Sequence, residues 1–190
     1  MNINRLKNNK GFTLVEALFA VAVLTFTITI LMTIISNSLF SIRYSKDEIT
    51  VNYLLQEVVD YIRNDRDTFV FLEGNTWEDF YSRYQKCSSD NGCYFSVTDN
   101  NLPEDISSCS DSGCPIMYYD DEVSYGSYYD YYSTTLYGGE TNKATSFKRK
   151  ITVKENQENN DEIIITVVVD WLNGGVNVER SLSNSITNWR

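Results

Sequence analysis

Glu16 is the lone acid within the apolar stretch "FTLVEALFAVAVLTF", five residues after Gly11. A carboxylate at the centre of a bilayer costs roughly 2.5–3.5 kcal/mol, so acids in such segments usually have a partner and a task. Four cysteines follow much later, as "CSSDNGC" (Cys87 to Cys93) and "CSDSGC" (Cys109 to Cys114). Each pair brackets a Ser/Asp/Asn-Gly turn and can close a small loop; outside the membrane an even count reads as disulfides. The sequence leaves more than one pairing open, and the spacing favours Cys87–Cys93 with Cys109–Cys114. The rival is a four-thiolate zinc site, against which the first pair is wider than the usual knuckle. The acids Asp120, Asp121, Glu122 and Asp130 offer oxygen ligands for calcium, without the spacing of a calcium loop.

What is missing narrows the chemistry further. The chain of 190 residues has no histidine, so histidine triads, histidine general bases and most catalytic zinc sites are excluded. It has no Gly-rich phosphate loop, nucleophile elbow or paired-acid cleft signature either. The expectation is therefore no enzyme and no cofactor. The net charge of −10 argues against nucleic acid as a partner, which needs a basic surface.

The elements that must position these residues begin with a helix. Ala17 to Ile42 holds no charged residue, glycine or proline. About 20 apolar residues cross the hydrocarbon core as a helix, and lipid forces helical hydrogen bonding even on a run rich in Val, Ile and Thr. Arg5, Lys7 and Lys10 precede it without an acid, which favours a cytoplasmic N-terminus; Arg43 and Lys46 beyond it pull the other way. A cleaved signal peptide is the bland alternative, with Ala20-Val21-Ala22 as its cleavage match, but the apolar run continues to Ile35, longer than such a segment needs. Past Ile42 the pattern becomes amphipathic, with Val51, Leu54, Leu55, Val58 and Ile62 on one face. Without Pro or Gly to force a break near Ser36-Asn37-Ser38, a single helix is expected from about Phe12 to about Arg66, roughly 80 Å long.

The C-terminal end predicts a sheet. "FKRKITV" (Phe147 to Val153) alternates, "KENQENND" (Lys154 to Asp161) reads as a polar turn, and "EIIITVVVDW" (Glu162 to Trp171) is apolar on both faces, as in a strand buried on each side. "NGG" (Asn173 to Gly175) is a hairpin signal before "VNVERSL" (Val176 to Leu182). The expected fold is thus α+β, a long N-terminal helix packed on a C-terminal antiparallel sheet. Between them, residues 67–146 form an insert that reads as irregular. Its stretch Met117 to Gly139 packs eight tyrosines among Asp, Ser and Gly. It reads as a solvated loop or, more sharply, as a surface that contacts a partner or another cell.

"KGFTLVEALFAVAVL", Lys10 to Leu24, resembles the processing signature of the type IV pilin and pseudopilin superfamily. That family has a short basic leader, a Gly before the cut, then Phe-Thr-Leu-Val-Glu opening a long apolar helix, and Gly11 to Glu16 match position by position. The tail "VVVDWLNGGVNVERSLSNSITNW" is similar, less specifically, to the sheet ending of minor pilins. The resemblance implies that a prepilin peptidase cuts between Gly11 and Phe12, that Phe12 becomes an N-methylated terminus, and that Glu16 of one subunit pairs with the Phe12 amine of a neighbour and sets register. One departure stands out: many members carry Pro or Gly within the apolar helix, and this chain has neither between Phe12 and Gly74.

The expected organisation is a leader (1–11), a transmembrane and filament-core helix (12–42), its amphipathic continuation (43–66) and an extracytoplasmic head (67–190). The functional expectation is a structural subunit of a pilus-like filament or pseudopilus, a minor pilin or pseudopilin, whose partners are the membrane, a prepilin peptidase and other pilin-like subunits. The alternative is a membrane-tethered extracellular binding protein with no filament role.

Overall fold

The computed structural model describes residues 13–72, 74–97, 106–120, 128–130 and 143–188. The leader, Gly11, Phe12, Asp121, Glu122 and most of the tyrosine-rich stretch lie outside them. The chain divides into two units, Met1–Asp47 and Glu48–Arg190. Helix α1 (Leu14–Arg66) runs unbroken through Ser36-Asn37-Ser38 and is followed by a π-helical segment, Asp67–Leu72. No Pro or Gly interrupts the i to i+4 backbone ladder along it.

In the first unit the described residues are all helix apart from Thr13, and their side chains are exposed from Leu14 to Ile42. α1, which begins in this unit, is the one helix among the described residues that is long and apolar enough to cross a membrane.

In the second unit the head half of α1 buries Val51, Leu54, Leu55, Val58, Val59 and Ile62, the spacing of one helical stripe. The stripe belongs to one apolar core with the inner face of a seven-stranded antiparallel sheet. Its strands are β1 (Cys93–Tyr94), β2 (Ser107–Ser108), β3 (Ile116–Asp120), β4 (Tyr128–Asp130), β5 (Lys143–Asn156), β6 (Asn159–Asn173) and β7 (Val176–Thr187). β6 lies between β5 and β7. The other edge of β5 is shared: β3 pairs along its first half and β1 at Ile151. Ile151 and Val153 from β5 and Ile163, Ile165, Val167, Val169 and Trp171 from β6 are fully buried in that core.

Four features depart from the sequence expectation. The polar segment Lys154 to Asp161 is mostly strand: pairing continues through Lys154↔Ile164 and Glu155↔Ile163 to Asn156↔Asn159, leaving a turn at Gln157-Glu158. Polar residues at a ribbon's end keep their backbone ladder while their side chains meet water. β6 is central in strand order but buried on one face only; Ile164 is 39% and Leu172 60% exposed. Its outward neighbours are Lys150 and Lys154 on β5 and Ser181 and Ser185 on β7, and among the described residues no second apolar layer covers that face.

The insert is less irregular than composition implied. Helix α2 (Trp77–Arg83) opens with a capping box in which Thr76 accepts from the Asp79 amide and Asp79 reaches back, satisfying two orphan donors at once. Trp77, Phe80 and Tyr84 from this segment are buried. The tyrosine-rich stretch begins as a hairpin, with Tyr118↔Asp130, Tyr119↔Tyr129 and Asp120↔Tyr128 paired; tyrosine suits a pleated surface. The Asn173-Gly174-Gly175-Val176 turn holds Gly174 at φ 58° and Gly175 at φ 85°, the left-handed pair that a tight hairpin requires.

Candidate functional site

The N-terminal turn of α1 is built by Thr13. Its Oγ1 accepts a hydrogen bond from the Glu16 amide at 3.3 Å, and its carbonyl accepts from the Ala17 amide at 3.1 Å. Thr13 is therefore the helix cap, a role whose signal is the T-x-x-E spacing of Thr13 and Glu16. Glu16 lies in the first helical turn, where exposed amides and the helix dipole favour a negative charge. The acid thus has a local reason to be tolerated, in addition to any partner on another chain. Gly11 and Phe12, on which the cleavage expectation falls, lie outside the described residues.

Beyond the first turn the helix is made fit for lipid by its own hydroxyls. Thr25 donates to the Ala22 carbonyl, Thr27 to Leu24, Thr29 to Thr25, Thr33 to Thr29 and Ser36 to Met32, at 2.8 to 3.0 Å. These five hydroxyls, which would otherwise be unsatisfied groups in hydrocarbon, are each paired within about one turn. The side chains between them are large and apolar, with Phe26 68% and Met32 62% exposed.

The head is held to its half of α1 by polar contacts as well as by apolar packing. Arg149 is fully buried on the inner face of β5, between Phe147 and Ile151. It donates to Glu57 Oε2 at 2.7 Å, to the Leu54 carbonyl at 3.3 Å and to the Phe95 carbonyl at 3.4 Å. A cation in an apolar layer is tolerable only with acceptors on several sides. At the far end of the helix Arg63 donates to Asn184 and Arg66 to the Thr187 carbonyl. Nearby Asp65, 3% exposed, takes the Arg83 guanidinium at 3.1 Å and the Tyr84 hydroxyl at 2.7 Å. Burial, and then the charge of Asp65, push the Tyr84 hydroxyl well above its ordinary pKa.

The cysteines form Cys87–Cys93 and Cys109–Cys114, so no thiolate is left for the zinc alternative. Cys87 and Cys93 lie in the core; Cys109–Cys114 closes the loop from β2 to β3. Of the acids considered for calcium, Asp120 and Asp130 are strand residues paired to Tyr128 and Tyr118. Among the described residues no cluster of three His, Cys, Asp or Glu is arranged for a metal.

The described residues thus provide an acid in the first turn of a capped apolar helix in the first unit, and two disulfides in the second. No curated protein and no solved structure matches the chain. The family described as prokaryotic N-terminal methylation motif does match, over residues 6–32. The type IV pilin and pseudopilin signature therefore stands at the head of this chain, a motif of structural proteins that implies membrane association and processing by a prepilin peptidase.

Proposed function

We propose that the chain is a structural subunit of a type IV pilus-like filament or pseudopilus. It is inserted as a single-pass precursor with its basic leader cytoplasmic and its head outside, cut between Gly11 and Phe12, methylated at Phe12, and polymerised through its N-terminal helix. The observation that carries this reading is the methylation motif at residues 6–32 opening an apolar helix whose side chains from Leu14 to Ile42 are exposed. Such a helix exchanges lipid for a bundle of like helices at little hydrophobic gain, so packing and specific polar pairs must steer the exchange. Glu16 supplies one: a carboxylate that a neighbour's Phe12 amine neutralises only when the two subunits are correctly stepped. The disulfide-closed insert supports a minor pilin or pseudopilin over an abundant major subunit.

N-terminal sequencing with mass measurement of the mature chain tests the reading. The expected species begins at methylated Phe12. A chain beginning at Met1, or after Ala22, would favour the membrane-tethered binding protein instead. In the same cells Glu16→Ala should leave membrane insertion intact and lower filament incorporation about ten-fold or more; unchanged incorporation refutes the register role.

A further inference from the structure

The outer edge of β5 is claimed by two different strands. β3 pairs with it up to Ile116↔Lys148, and β1 begins at Cys93↔Ile151. Between them, at Arg149 and Lys150, neither strand supplies a register partner, and the sheet forks. A cleft of about 440 Å³ lies at the fork, lined by Tyr94, Ser108, Ser110, Ser112, Cys114 and Lys148 among others.

One wall of this cleft is fixed before any ligand arrives. The Cys109–Cys114 disulfide closes the loop. Inside it Ser110 bridges to Gly113 and its hydroxyl donates to the Gly113 carbonyl at 3.0 Å, while Ser110 and Ser112 hydroxyls lie 2.8 Å apart. Gly113, at φ 103°, adopts a backbone conformation that favours glycine. The Cys109 amide donates to the Gly92 carbonyl at 3.0 Å, and Asn91 donates to Asp111 at 2.8 Å, which ties the loop to the β1 side of the fork.

We propose that this cleft binds an anionic saccharide, a hydroxylated ring bearing a carboxylate. Lys148 is the one charged residue among the described residues of the lining, with Asp170 opposite it on β6 outside the cleft lining. An ammonium offers donors and no acceptor, which selects an anion. Serine hydroxyls both donate and accept, and so match a ligand that carries hydroxyls of both roles. The Tyr94 ring supplies an apolar surface for the carbon face of a pyranose. A bare phosphate is poorly served, since the described residues of the lining include neither an arginine nor a helix N-terminus. The volume falls in the range of small-ligand sites, enough for about one or two sugar rings. This inference does not depend on the filament reading.

The test is calorimetric titration of the full chain in detergent micelles with D-glucuronate, D-glucose and inorganic phosphate. Glucuronate should bind saturably, glucose about ten-fold more weakly or less, and phosphate should not displace glucuronate. Lys148→Gln should weaken glucuronate about ten-fold, and Ser112→Ala, on the exposed loop, by a few-fold. The proposal is overturned by an absence of saturable glucuronate binding, by equal affinity for glucose, by displacement with phosphate, or by Lys148→Gln binding like the parent. Intact disulfides by mass and an unchanged near-ultraviolet spectrum certify the fold of each variant; should Lys148→Gln fail that check, Ser112→Ala decides, and unchanged affinity there counts against the site.

Discussion

The two halves of α1 are both rich in Leu, Ile and Val, yet they meet opposite surroundings. From Leu14 to Ile42 large apolar side chains are exposed, whereas Val51, Val58 and Ile62 are fully buried. Apolarity alone does not decide burial; arrangement does. In the head half the apolar residues form one stripe with acids and amides on the rest, which suits a single sheet. In the N-terminal half they surround the helix, which suits lipid or a bundle of like helices.

The same substitution in each half gives the sharpest contrast. Leu55→Ala, in the core at 4% exposure, should destabilise the head by about 3 kcal/mol. Leu24→Ala, 59% exposed, should change it by less than about 0.5 kcal/mol. Denaturant unfolding of the full chain in one detergent, followed by tryptophan fluorescence, measures both; equal losses would dissolve the distinction. Next comes Cys87→Ser with Cys93→Ser, opening a six-residue separation within the core, for a loss of about 2 kcal/mol, which the same unfolding curves record without any change in membrane insertion.

The smallest effect is electrostatic and belongs to the head surface. Lys154 donates to Asp90 at 2.7 Å, and that bond with the ammonium charge lowers the Asp90 pKa. An acid whose folded pKa is depressed adds stability above its unfolded value, about pH 4, and loses it as the pH falls through the lower folded one. The difference in unfolding midpoint between the parent and Lys154→Gln should therefore shrink between about pH 5 and about pH 3. A constant difference would show that the pair is not titrating.

The helix, its buried stripe and the C-terminal hairpin were legible because each rests on a local period: 3.6 for Val51 to Ile62, two for β7, and Asn-Gly-Gly for the turn between strands. Helix α2 carried its signal too, in Thr76 and Asp79 flanking Trp77, but short helices inside polar segments are easily read as loop. β6 misled because Ile, Val and Thr on its outward face look like core; only the partner strands, with Lys and Ser opposite, show that face to be wet. Arg149 is the instructive case. The alternation that puts Phe147 and Ile151 inward puts Arg149 there as well, and a period alone cannot say which acceptors will receive a buried cation. Two of those acceptors lie 92 and 95 positions away in sequence, on α1, and the third 54 positions away, after β1. The fork at β5 was not legible for the same reason, since it arises from where two short strands happen to stop.

Arg149 also has a mechanical meaning. A pull along the axis of α1 reaches the head's sheet as shear across their shared apolar layer, where apolar contacts carry no directional bond. Slipping by one helical turn, about 5.4 Å, would strip the guanidinium of both Glu57 and the Leu54 carbonyl. The side chain therefore works as a shear pin, resisting sliding while leaving the greasy contact free to form.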